Sequence, residues 1–189
     1  MSSYSSTNSF GMLFTGLLYN LLIMLLSAIL PLIIGIGLTI LVSKVKKKGL
    51  RIPLRIVGAA LYSLAPVALT FCFFFNVFGV LKVQNAQNAG MFSIIFTITL
   101  SHLGYFMMCY DDSGSIKKNI IVNILGLFSS TFLWSMVGSL VGAPEVINTA
   151  KTVAGHTYEF GIYIKVLFLC FIVLAALNIP RMILKEVLE

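Results

Sequence analysis

Few side chains in this sequence are of the kind that do chemistry, and their spacing narrows the field further. Cys72, Cys109 and Cys170 stand far apart with no C-x-x-C pairing. That pattern excludes a paired-cysteine metal or redox site and leaves buried, inert thiols as the reading. His156 and Glu159 are three residues apart and would share a helix face, yet no third ligand accompanies them, so no metal site is expected. His102 lies in a Ser-His-Leu-Gly setting inside an apolar run. A membrane histidine can mark a proton path or a ligand. With no carboxylate in the same run, His102 reads instead as a buried hydrogen-bonding residue. Asp111 and Asp112 sit on a turn with Lys117 and Lys118, which suits a solvated, self-neutralising loop better than a metal pair. The chain has no GxxxxGK(S/T) nucleotide loop, no HExxH zinc helix and no GxSxG nucleophile turn. Nothing supports an enzyme.

What would position these groups is a set of apolar spans. The chain has 189 residues, is 59% hydrophobic and 10% charged, and has a mean hydropathy of +1.01, values that belong to polytopic membrane proteins. Residues 13–42 form one long apolar run followed at once by Lys44, Lys46, Lys47, Lys48, Arg51 and Arg55. The +7 formal charge invites a nucleic-acid partner, but the cations flank apolar spans instead of covering a soluble face, so orientation in a membrane accounts for them and nucleic acid is excluded.

The fold class expected is an all-α polytopic membrane protein, a single transmembrane domain over 1–189 with five spans at about 11–42, 54–81, 91–110, 119–141 and 160–179. Residues 1–9 carry no basic n-region and read as a short exposed tail. The first span would be about 45 Å long as a helix against roughly 30 Å of hydrocarbon, so it must tilt, kink or protrude, with Pro31 and the Gly35-Ile36-Gly37 step as the places to do so. The second holds Pro66 in its interior and the block Phe71, Phe73, Phe74, Phe75, Phe78, which reads as lipid-facing or packing residues. The fourth carries Asn123, Gly126, Ser129, Ser130, Thr131, Ser135, Gly138 and Ser139, a close-packing face for other helices. Gly142-Ala143-Pro144-Glu145 should stop it, with an external helix and loop over 144–159. The fifth should end at Pro180-Arg181.

Ten of the thirteen Lys and Arg fall on one side of this arrangement, leaving Lys82, Lys151 and Lys165 on the other, where the stem of Lys165 can snorkel to the interface. The positive-inside rule then gives an amino terminus outside and a carboxyl terminus inside. The polar groups expected to face a substrate path are Asn20, Ser63, Asn76, His102, Asn123 and Ser130, since an unpaired amide or hydroxyl in hydrocarbon is costly. No span holds a carboxylate, so a carrier driven alone by protons or sodium is disfavoured, and no filter-like segment supports a channel.

The stretch 14–42, with Thr15-Gly16-Leu17-Leu18-Tyr19-Asn20-Leu21-Leu22 leading to Gly35-Ile36-Gly37-Leu38 and a basic loop, resembles the first span of polar amino acid ABC importer permease subunits, the histidine/glutamine permease type of binding-protein-dependent inner-membrane component. The far end is similar too. Ser135-Met136-Val137-Gly138-Ser139-Leu140-Val141-Gly142-Ala143-Pro144-Glu145-Val146, then Ala150, Thr152-Val153-Ala154 and residues 157–163, looks like the family's "TSL…IG..EL…A..I…TF…Y" passage.

The resemblance covers the two ends and fades in the middle. It implies a type I ABC importer permease-like fold in a bacterial inner (plasma) membrane, with several partners besides the lipid bilayer. These are an ABC ATPase subunit, a second permease subunit as homo- or heterodimer, and an extracytoplasmic substrate-binding protein. ATP and Mg would belong to the partner ATPase, with no cofactor in this chain.

The family's "EAA…G" coupling loop is missing. Only 111–118 stands in its place, so Asp111, Asp112, Lys117 and Lys118 are the ATPase-facing candidates. A loop of about eight residues cannot hold two helices, since one turn uses nearly four. Phe132 replaces the lysine that precedes the family's "TSL". Two readings follow: a divergent permease half paired with a complete one, or a non-transporting membrane scaffold or regulatory subunit derived from a permease.

Overall fold

The computed structural model describes residues 6–44, 48–64, 66–78, 85–109, 120–158 and 161–188. Among these the protein is all-helical, with no strand. We label the helices α1 (Ser6–Lys44), α2 (Lys48–Ser63), α3 (Pro66–Cys72, continued by a π-helical turn over Phe73–Phe78), α4 (Ala86–Cys109), α5 (Ile120–Ser135, continued by a 3-10 stretch over Met136–Val141), α6 (Val146–Thr157) and α7 (Ile162–Leu188). Among the described residues, four stretches are long and apolar enough to cross a membrane: Ser9–Gly35, Ala86–Met107, Ile121–Val141 and Ile162–Val187. A fifth exists if Ile56–Ser63 and Pro66–Val77, which meet at 83°, are one broken span.

That break is where the sequence expectation and the structure part most clearly. The second span, expected as one helix with Pro66 inside it, is divided at Pro66. Proline has no N–H, and the residue before it is pushed out of the helical region, so a helix stops more readily there than it continues. Pro31 behaves differently. It leaves the carbonyl of Ser27 without a helical donor, yet α1 runs through it as one 39-residue helix. Pro180 likewise fails to end α7, which continues to Leu188. Pro31 lies between two apolar runs and Pro180 follows one, and the length of these helices carries them through the interruption.

At the other end of the chain the expected stop is observed. The 3-10 stretch closes on Gly142 in the left-handed conformation, φ 74°, and its N–H reaches the carbonyl of Gly138. The expected tail is shorter than foreseen, since helix begins at Ser6 and Ser9 is already buried.

Two cores hold the bundle. In the larger, Leu13, Leu17 and Met24 of α1 meet Phe132 of α5, Val146, Ala150 and Val153 of α6 and Ile162 and Val166 of α7. In the smaller, Ile23 packs on Ile94, Ile95 and Ile98 of α4. Glycines set how closely the helices approach. A Cβ on Gly16 would stand 2.6 Å from Thr149 Oγ1 and 2.9 Å from the Cα of Val146, so α1 and α6 are nearly in backbone contact there. A Cβ on Gly104 would stand 2.7 Å from the carbonyl oxygen of Gly58 and from the nitrogen of Tyr62, which sets α2 against α4 in the same way.

The outward surface is apolar. Ile164, Leu167, Phe168 and Phe171 of α7 are each more than 60% exposed, as a lipid-facing helix requires. Phe71 and Phe75 also face outward, while Phe73 sits against Phe96 of α4 with ring centroids 6.0 Å apart.

Gly16→Ala should destabilise the detergent-solubilised protein by about 1–3 kcal/mol, the usual cost of overpacking. Gly11→Ala, on the same helix with nothing within 4 Å, should be neutral or slightly stabilising through helix propensity. Melting curves of the two variants provide the check, and equal effects would show that the close approach at Gly16 is not sustained.

Candidate functional site

The best-connected polar group in the described residues is Asn20, fully buried on α1. Its Nδ2 donates to Ser135 Oγ on α5 at 2.7 Å, and its Oδ1 accepts from the backbone N–H of Val146 at the start of α6, at 2.8 Å. Ser135 passes the bond on by donating to the carbonyl of Phe132 at 2.6 Å. One amide thereby joins α1 to two consecutive helices that lie more than a hundred residues further along the chain.

Beside it stands Glu145, also with no exposed surface. Its extended backbone makes it the N-cap of α6: Oε2 accepts from Ile147 N–H at 2.9 Å and Oε1 from Asn148 N–H at 2.7 Å. A carboxylate at a helix N-terminus satisfies otherwise orphaned donors and lies at the favourable end of the helix dipole. Asn148 reinforces the turn by donating to the carbonyl of Ala143 at 3.0 Å. Glu145 lies outside both flanking apolar spans. Burial pushes its carboxyl up to about 7, against the lowering pull of the Ile147 and Asn148 N–H groups, the Asn20 amide and Lys151.

A second cross-helix contact involves two expected path residues. His102 Nδ1 lies 2.8 Å from the carbonyl of Ile98, which can only accept, so Nδ1 carries a proton. His102 Nε2 lies 2.9 Å from Ser130 Oγ on α5. Ser130 Oγ is also 2.9 Å from the carbonyl of Leu127, so with a neutral imidazole its single proton serves one of the two acceptors. The expected hydrogen-bonding role of His102 is what the geometry provides. Thr70 and Thr97 join α3 to α4 at 3.2 Å, and Asn178 donates to Ser129 at 3.0 Å, joining α7 to α5.

The six expected path residues therefore do not form one lining. Asn20 is consumed in the three-helix junction. His102 and Ser130 are brought together. Ser63, Asn76 and Asn123 are exposed and apart from both clusters. Ser63 Oγ donates to the carbonyl of Ala60 at 2.9 Å, and the Asn76 amide faces Cys72 Sγ one turn back at 3.8 Å. The ATPase-facing candidates Asp111, Asp112, Lys117 and Lys118 lie outside the described residues, as does Glu159. Cys170 is buried as expected, whereas Cys72 is exposed. No group of three or more His, Cys, Asp or Glu that could hold a metal ion occurs among the described residues.

Sequence reasoning missed Glu145 and Asn178 as structural keys. The sequence reading has Glu145 in a helix stop and in the family-like passage, although a carboxylate just ahead of the first helix N–H groups is also a capping signal. Asn178 is an amide in an apolar span, the same cue that singled out Asn76.

Asn20→Ala strands the Val146 N–H and should cost about 1–3 kcal/mol. Glu145 gives a pH signature. Its carboxyl binds a proton more tightly when folded, so its stabilising contribution is complete below about 4.5 and is lost as pH rises through about 7. The full span is on the order of 3 kcal/mol. The melting temperature should therefore fall between those pH values in the unmodified protein, and Glu145→Gln should flatten that slope while losing one capping bond.

No family model, curated protein or solved structure matches the chain.

Proposed function

We propose that this chain is a permease subunit of an ATP-driven importer for amino acids or related small polar solutes, a divergent half that works beside a second permease subunit. The observation that carries the reading is the Asn20 junction. The two sequence stretches that resemble the importer family are distant in the chain, and they touch through a buried polar network: Asn20 belongs to the first, Ser135 and Val146 to the second. The Gly16 close approach to Thr149 and Val146 belongs to the same pair of stretches. A shared packing arrangement would need these residue types at these places for reasons of geometry, independent of any single motif.

The proposal also accounts for the exposed polar residues. Asn76 in an apolar setting costs free energy against lipid, and a neighbouring permease subunit or a hydrated path would relieve that cost. With the family's coupling loop absent, the second subunit would carry most of the ATPase contact. ATP and Mg would be held by the ATPase, and substrate would arrive through an extracytoplasmic binding protein.

Affinity purification from native membranes in mild detergent, with stoichiometry read by mass spectrometry, tests this directly. An ATPase and a second, EAA-bearing permease should co-purify at near-equal amounts. Recovery with no ATPase would overturn the importer reading and leave a membrane scaffold.

A further inference from the structure

Helix α7 carries a cation within its apolar run. Arg181 lies inside the Ile162–Val187 stretch, flanked by Ile179, Met182 and Ile183, each more than half exposed. Its guanidinium does not reach along the helix toward the end of the run. It crosses to α5, where a Cβ on Gly126 would stand 2.9 Å from Arg181 Cζ, 3.0 Å from Nη2 and 3.1 Å from Nε. The planar group rests on the α5 backbone, and only a glycine leaves room for it there.

The register of the two helices sets its level. Asn178 donates to Ser129 at 3.0 Å, and three residues further along α7 and three back along α5, Arg181 meets Gly126. The helices thus run antiparallel with a fixed pairing, and the guanidinium stays at its own level instead of snorkelling. The next charged residues come later on both helices: Lys185 is one turn beyond Arg181, and Lys118 is eight residues before Gly126. Arg181 is therefore at least one turn, about 6 Å, inside the level at which charges begin. A cation placed there draws in an anion or a lipid headgroup. No described residue supplies the anion. Among these residues Arg181 forms no ion pair or hydrogen bond, Glu145 lies beyond the far end of α5, and Glu186 is about 140° round α7.

A guanidinium held flat presents a planar fork of N–H donors that fits two oxygens of a phosphate at once. The neighbours suit the same ligand. Lys185 adds positive charge one turn on, and the exposed Asn123 stands one turn before Gly126 on α5. Basic sites between membrane helices are a recurring means of holding anionic headgroups. We infer that the α5–α7 seam binds one anionic phospholipid, whose phosphate is held by the Arg181 guanidinium on its Gly126 seat. This is independent of the importer reading.

The test uses the full chain purified in a neutral detergent and given equal mole fractions of phosphatidylglycerol and phosphatidylcholine, with the retained lipid read by native mass spectrometry. Both lipids carry the phosphate, but choline offsets its charge in the second. One phosphatidylglycerol should be retained about tenfold over phosphatidylcholine, in keeping with a single charge-assisted hydrogen-bonded pair. Arg181→Gln should bring the two lipids to parity, and Arg181→Lys, which keeps the charge without the fork, should keep only part of the preference. Gly126→Ala leaves every charge in place but pushes the guanidinium off its seat, so it should also cut the preference. Lys165→Gln, which removes a cation at the other end of α7, should change nothing.

Equal retention of the two lipids by the unmodified chain, a preference untouched by Arg181→Gln, or one that Lys165→Gln lowers as much would each overturn the inference. Should Arg181→Gln fail to fold, a preference left whole by both Arg181→Lys and Gly126→Ala would overturn it as well. Displacement of phosphatidylglycerol by inorganic phosphate would assign the seat to a soluble anion and discard the lipid. None of these outcomes depends on whether an ATPase co-purifies.

Discussion

The organisation of this protein depends on how polar groups are satisfied between apolar helices. In hydrocarbon there is no water to take up a stray donor, so a buried amide, hydroxyl or backbone N–H is costly unless it finds its partner within the protein, and among the described residues the buried hydroxyls of Ser27 and Thr99 stand as exceptions. Asn20 meets that constraint for three helices at once, since its side chain offers donors to α5 and an acceptor to α6. Gly16, one turn earlier, removes the Cβ that would hold α1 away from α6. The glycine and the asparagine are complementary: close approach makes the hydrogen bonds short, and the hydrogen bonds fix which faces approach. Glu145 then completes the arrangement by capping α6 at the point where Val146 is held.

The same rule is applied repeatedly elsewhere. Thr70 to Thr97, His102 to Ser130 and Asn178 to Ser129 each link one helix to a neighbour through a pair of side chains, and none of them needs a charge. Uncharged pairs suit the apolar layer because desolvating a hydroxyl or an amide costs far less than desolvating an ion. The bundle is held by neutral polar links between faces of small residues, which leaves α7 free to present aromatic and aliphatic side chains outward.

Much of this was legible in the sequence, because the long apolar runs and the Gly142 stop carry their own physical signatures. The small and hydroxyl residues of the fourth span were legible as packing residues for the same reason: Thr131 and Ser135, four residues apart, share one buried face, and Ser129 is buried on another, against Asn178 of α7. The roles of individual polar residues were not. Asn20, Asn76 and Asn123 look alike as amides in apolar context, yet only Asn20 is buried at a junction, since burial depends on which helices pack where. Proline was ambiguous in a similar way. Pro31, Pro66 and Pro180 each remove one backbone donor, and only Pro66 divides a helix. Length of the flanking helix is not the whole difference: Pro31 and Pro180 interrupt long apolar helices, yet Pro53 stands inside the short α2 without dividing it.

These two outcomes, a locked junction and an interrupted helix, divide the molecule into parts with different mechanical character. Around Asn20, helices α1, α5 and α6 share hydrogen bonds and near-backbone contact, so they can move only as a unit. At Pro66 the N–H that would continue the helical ladder is missing, and the helices on either side meet at 83°. One link between the two parts runs through α4, which carries Thr97 against Thr70 of α3 and, through Ile94, Ile95 and Ile98, packs on Ile23 of α1; α3 also meets the 3-10 stretch that continues α5. A shift of α3 can therefore reach the junction through α4 and also directly through the 3-10 stretch, and the neutral hydrogen bond at Thr70 is weak enough to be exchanged as it does so.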